Sequence, residues 1–126
     1  MSTSPLEMVR EYLDASGERR MEDARRYLDT SAIIIFPQGR FEDLGEMAEA
    51  TKGRYLSIGK THETWDVFIE ESEAVVVTTG TLQGVNTHGI AFDGVRFCDR
   101  FVIRDGLIVE QHVWNDLAES GVLDKL

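Results

Sequence analysis

Val95-Arg-Phe-Cys-Asp-Arg-Phe-Val-Ile-Arg-Asp-Gly-Leu-Ile-Val-Glu-Gln-His-Val-Trp-Asn115 reads as two β-strands folded back on each other around Asp105-Gly106. Two registers compete. A three-residue loop Arg104-Asp105-Gly106 sets Arg100 opposite Glu110, Val102 opposite Ile108 and Arg96 across from Trp114 on one face, with Phe101–Val109, Asp99–Gln111 and Phe97–Val113 on the other. A two-residue turn sets Phe101 against Glu110, Arg100 against Gln111 and Asp99 against His112. The first is preferred, because its cross-strand pairs join opposite charges or apolar partners. Either register leaves Asp99 between Phe97 and Phe101 on a face of bulky apolar residues. A carboxyl there is disfavoured as an anion, which points to a protonated Asp99 able to donate a hydrogen bond. The alternative is an Asp99 solvated at an edge or paired to Arg96 or Arg100.

Upstream, Ser4-Pro5-Leu6-Glu7 is a capping box with proline in the first turn, and Leu6, Val9, Leu13 beside Met8, Tyr12, Ala15 give a helix that stops at Gly17. A second helix is expected over about Glu18 to Leu28. Ser31 to Phe36 then forms a short strand buried on both faces, stopped by Pro37 and turned at Gly39. Leu44, Met47, Ala48, Thr51 and Tyr55 recur at helical spacing and mark a third helix. Alternation over Trp65, Val67 and Ile69 gives a strand, Ala74 to Gln83 another, and Gly84 to Gly94 a long Gly-rich connection; a short tail follows from Asp116. Helices followed by consecutive hairpins make an α+β fold, a curved antiparallel sheet covered by helices on one side.

The 126 residues, 42% hydrophobic and without a linker or repeat, fit one domain over 1–126. With 23 acidic against 13 basic residues and a net charge of −10, no nucleic-acid partner is expected. One cysteine, Cys98, and scattered His62, His88 and His112 give neither a disulfide framework nor a metal-ligand spacing, so no metal and no cofactor are expected. The absence of a leader pattern or a membrane-length apolar run makes the expectation cytoplasmic, with no membrane association.

The order of elements, Ile-Phe-Pro at 35–37 and the closing hairpin resemble the nuclear transport factor two-like superfamily, with SnoaL-like and ketosteroid-isomerase-like proteins the most similar branches. The resemblance implies a cone-shaped curved sheet wrapped by three helices, a cystatin-like roll, around an apolar pocket, and a homodimer through the outer sheet face. Val102, Ile108, Trp114 and the stem of Arg96 are expected to supply that outer surface. By the same resemblance Tyr12 and Asp99 match the isomerase's hydrogen-bonding pair, and Asp99 alone matches the acid/base carboxylate of SnoaL-like cyclases. Phe36 stands where the isomerase has its base, and Gln111 and Val113 leave the two-carboxylate pattern of limonene epoxide hydrolase unfilled.

The candidate catalytic residues are therefore Asp99 and Tyr12, and the candidate ligand-binding residues Phe36, Phe97, Phe101, Gln111, Val113 and Asn115. Met8 and Met47 are expected to extend the apolar lining. A helical Tyr12 is more often core packing with a satisfied hydroxyl. His112 is expected to face away from Asp99; His62 and His88 read as mouth or surface histidines, Arg40 as an exposed loop residue, and Trp65 and Trp114 as packing or subunit contacts. The ligand suggested is a small lipophilic molecule carrying a carbonyl or hydroxyl, handled by an isomerase, cyclase or lyase that stabilises an enolate, or held by a binding module that lacks the base.

Overall fold

A computed structural model describes residues 4–124. The mixed α+β chain runs α1 (Pro5–Gly17), α2 (Met21–Arg25), β1 (Leu28–Phe36), β2 (Gly39–Phe41), α3 (Leu44–Thr51), β3 (Tyr55–Ile69), β4 (Glu73–Asn86), β5 (Ala91–Arg104), β6 (Leu107–Asn115) and α4 (Leu117–Ser120). The six strands form one curved sheet in the order β2-β1-β6-β5-β4-β3, the cone architecture expected from the sequence. All pairs are antiparallel except β1 with β6.

Ser4 caps α1 by accepting from the Glu7 N–H at 3.2 Å, and Met8, Val9, Tyr12 and Ala15 bury one face of the helix. The expected second helix is cut to one turn and a half. Its continuation is lost because β6 takes the backbone: Ile108 N–H donates to the Tyr27 carbonyl at 2.8 Å, and Leu28 already pairs with Ile108. In β1, Ala32 and Ile34 are buried while Ile33 and Ile35 are half-buried, so the strand covers one face rather than two.

The expected Gly84–Gly94 connection is mostly strand. Asn86 closes a short turn, its side-chain oxygen accepting from the N–H groups of His88 and Ile90, both at 2.9 Å. Gly84 marks a close approach: a Cβ there would lie 2.1 Å from the Ser57 carbonyl oxygen. The tail after Asp116 is helical at α4, and Leu117 and Val122 join Leu82, Val95 and Phe97 in a second apolar cluster.

The alternative two-residue turn holds at the loop, but neither expected register holds beyond it. Asp105 and Gly106 both have positive φ, 53° and 78°, as a two-residue type I′ turn requires, and Ile103 pairs with Ile108. Val109 is then an extra residue in β6, and beyond this bulge Val102 pairs with Glu110, Phe101 with Gln111, Asp99 with Val113 and Phe97 with Asn115. Asp99 thus faces neither Gln111 nor His112. Relative to the three-residue register the pairing has slipped by two, which preserves faces, so Phe97, Asp99 and Phe101 still share the inner face with Gln111, Val113 and Asn115. Arg100 meets Glu110 on the diagonal at 3.3 Å.

Ile108, before the bulge, lies inside the core with no exposure, and Val102 is 7% exposed, so neither supplies the open outer surface expected of it. Trp114 does remain 45% exposed. Among the described residues no helix is long and apolar enough to cross a membrane.

Candidate functional site

A cavity of about 380 Å³ opens between the inner face of the sheet and α1, α3 and α4. Met47, Ile58, Leu82, Phe97 and Val113 make its apolar wall, Lys60, His62, Gln111 and Asn115 enter as polar groups, and Arg19 and Arg54 stand among the residues toward the helices. Its size lies within the range of small-molecule sites.

Gly80 explains how β3 reaches the middle of this wall. In one row across the sheet His62 pairs with Gly80 and Gly80 with Phe97. A Cβ on Gly80 would meet the Thr61 carbonyl oxygen at 1.9 Å and the Phe97 ring at 3.0 Å. The missing side chain leaves the His62 ring to pack edge-on against Phe97 at 5.3 Å, and the Lys60 ammonium lies 4.8 Å from the same ring.

Lys60 continues to Asp99 and ion-pairs with its Oδ2. Asp99 has no exposure, its Oδ1 has no hydrogen-bond partner, and it stands behind Lys60 rather than in the cavity wall. The expected alternatives fail: Arg96 pairs with Asp116 at 2.7 Å and Arg100 with Glu110. The purely apolar surround that pointed to a protonated Asp99 is also absent, since an ammonium group supplies the counter-charge.

Tyr12 is fully buried beneath α1 and donates to Gln111 Oε1 at 2.5 Å, its ring edge against Phe101 at a centroid distance of 6.0 Å. Burial, and then the charge of Asp99, push its phenol well above the ordinary tyrosine value. It makes no hydrogen bond to Asp99 and does not line the cavity; it acts on the site through Gln111. His62 Nδ1 meets Thr78 Oγ1 at 2.7 Å, and the ring stacks on Trp65 at 4.6 Å, with the Arg10 guanidinium over the far indole at 4.9 Å. Burial, and then the Lys60 charge, hold the His62 imidazole below its usual value.

Of the residues expected to bind ligand, Phe36, Phe97, Gln111, Val113 and Asn115 line the cavity. Phe101 does not, because it is wholly enclosed in the core beside Tyr12, and Met8 likewise belongs to the core while Met47 reaches the wall. His112 lies on the outer face, stacked on Trp114 at 3.7 Å. His88 sits in the β4–β5 turn and Arg40 on β2, both away from the lining. Lys60 and the inward role of His62 escaped the sequence reading, which began the third strand's alternation near Trp65; the Ile58-Gly-Lys-Thr-His62 run carried the signal. Among the described residues no group of three His, Cys, Asp or Glu could hold a metal ion.

The sequence profile of the SnoaL-like domain matches residues 9–111. Among solved structures, that of TerC co-crystallized with polyporic acid superposes with a TM-score of 0.79 at 13% identity over 95% of this chain and 98% of that one. A protein from Shewanella frigidimarina NCIMB 400 assigned as a ketosteroid isomerase gives 0.72 at 18% identity, over 86% and 92%. A protein from Jannaschia sp. CCS1 assigned as a SnoaL-like polyketide cyclase gives 0.70 at 19%, over 100% and 99%. No curated protein matches the chain in sequence. At these identities the structural likenesses establish the fold alone.

Proposed function

The chain belongs to the SnoaL-like domain family, and from that premise we propose that it binds a small lipophilic carbonyl compound in the cone and stabilises its enolate, as a cyclase or isomerase. The observation that carries this reading is the Lys60–Asp99 pair, an ammonium at the cavity wall held by a fully buried carboxylate. When a ligand carbonyl enters, Lys60 turns from Asp99 Oδ2 to the ligand oxygen and donates to it as negative charge develops. Asp99 is thereby uncovered, and its Oδ1, which has no donor, takes the proton from the α-carbon. The C–H bond breaks, an O–H bond forms on Asp99, and the enolate oxygen rests on Lys60. Tyr12 positions the Gln111 amide from behind.

Phe36, in the wall where the isomerase resemblance has a base, offers no acceptor, so isomerisation of a 3-keto-Δ5-steroid at the rate of that enzyme is not part of the proposal. Phe36 and the screened position of Asp99 favour a second reading, a binding module without turnover. A homodimer through the outer sheet face completes the proposal, resting now on Trp114 and Phe68, 45% and 61% exposed, rather than on Val102 and Ile108.

Exchange of the C1 hydrogens of 2-tetralone with deuterated solvent, followed by NMR, tests the chemistry. Wild type should accelerate exchange, with a loss of about a hundredfold in both Asp99→Asn and Lys60→Met. Equal exchange in wild type and Asp99→Asn would remove Asp99 from the reaction, and binding without exchange would select the second reading.

A further inference from the structure

Four polar side chains of the inner wall, Lys60, His62, Gln111 and Asn115, share one feature: each has its rear atom engaged from behind. Gln111 Oε1 accepts from the Tyr12 hydroxyl, whose only hydrogen must find an acceptor in that dry position. Asn115 Oδ1 accepts from the Leu117 backbone N–H at 3.1 Å, and a backbone N–H cannot take the opposite role. These two bonds fix both amides with their NH₂ groups turned away from the anchoring partner. Thr78 has no exposure, and the group within reach of its hydroxyl is His62 Nδ1; a buried O–H donating there leaves the hydrogen of the neutral imidazole on Nε2. Lys60 has donors only, one of them spent on Asp99, and that carboxylate already neutralises it.

We propose that the inner wall is a donor-only surface, and that it selects a flat compound whose wall-facing polar groups are carbonyl acceptors, rejecting ligands that must donate to it. A ligand turning an N–H or O–H to this wall would find its amide oxygens and His62 Nδ1 already engaged and would leave that donor unpaired, which is the costly arrangement; the Asp14 and Glu18 carboxylates of the lining lie at the C-terminal end of α1, across from the sheet. The inference rests on the ligand-binding half of the function proposed above and is independent of turnover.

Three probes of one shape test it by calorimetry at pH 7.5: N-methyl-1,8-naphthalimide, with two carbonyl acceptors and no donor; acenaphthene, with neither; and 1,8-diaminonaphthalene, with donors. The imide should bind at least about tenfold more tightly than either of the others. Gln111→Glu and Asn115→Asp, which replace an inward NH₂ by an acceptor of the same size, should each abolish most of that preference, read as the ratio of imide to acenaphthene affinity within the same variant. If Gln111→Glu fails to fold, Asn115→Asp at its half-buried position carries the same comparison. Tightest binding by the diamine, or an imide preference unchanged in both variants, would overturn the donor-only wall. Binding of none of the three would overturn it together with the cavity's role in ligand binding. An imide preference without 2-tetralone exchange would uphold it while removing the enolate chemistry.

Discussion

The inner and outer faces of the sheet use the same chemistry to different ends. On the outer face, Arg100–Glu110, Arg96–Asp116 and Arg104–Glu73 are ion pairs between groups largely in water, with the Arg side chains 40%, 83% and 53% exposed. On the inner face, Lys60 meets an Asp99 with no exposure at all. Solvated pairs gain little because water already served both partners. The buried pair is different: its net worth against an apolar substitute is small, but removal of one partner strands a charge. A site that must hold an ammonium ready without consuming it is better made from the second kind.

Removal of single cations tests this contrast most strongly. Lys60→Met should cost about 3 kcal/mol in urea denaturation, whereas Arg100→Met should stay within about 0.5 kcal/mol. The double variant Lys60→Met, Asp99→Asn should recover most of the loss, since no charge is then left buried. Equal costs for Lys60→Met and Arg100→Met would mean that Asp99 finds another partner and that the two faces do not differ.

The contrast also depends on Gly80, which lets β3 side chains cross β4. Gly80→Ala should destabilise by about 2 kcal/mol, because its Cβ would collide with the Thr61 carbonyl, a backbone atom unable to move aside. Gly17, with open space around it, should accept alanine almost without cost. Thermal unfolding of the two variants measures the difference, and a Gly80→Ala protein as stable as Gly17→Ala would show that the strands can part at this row.

How much of this was legible in the chain depended on parity. The β5–β6 pattern puts Phe97, Asp99, Gln111 and Val113 on one face even though the pairing differs, because the two-residue turn and the bulge at Val109 each displace it by one, an even step together. Ile108 lies on the wrong side of that bulge and was misassigned for the same reason. Glycines at 80 and 84 are ambiguous from sequence: the residue that opens a turn is also the one that permits close approach. The strand β3 was hidden because Lys60, Thr61, His62 and Glu63 look like a solvated segment until their partner across the sheet is known. The buried pair joins residues 39 apart in sequence, and no local pattern announces it.

The smallest effect concerns His62, the titratable group beside that pair. Lys60 and Arg10 disfavour its cation, Asp99 and Asp14 favour it, and burial, the largest influence, tips the balance toward the neutral ring. The folded protein therefore takes up this proton at lower pH than the unfolded chain, whose histidine titrates near 6.5. Between the two values the unfolded state binds more protons, so the contribution of His62 is fully present above that unfolded value and is lost as pH falls through the folded one. His62→Gln keeps a group able to meet Thr78 but has no such titration. The Tm of wild type minus that of His62→Gln should be level above pH 7.5 and narrow by a few degrees at most as the pH is lowered from 6.5 toward 5. A difference that widens on acidification would mean that the imidazolium is stabilised in the fold, with Asp99 outweighing both burial and Lys60, and the neutral donor at the inner wall would be lost.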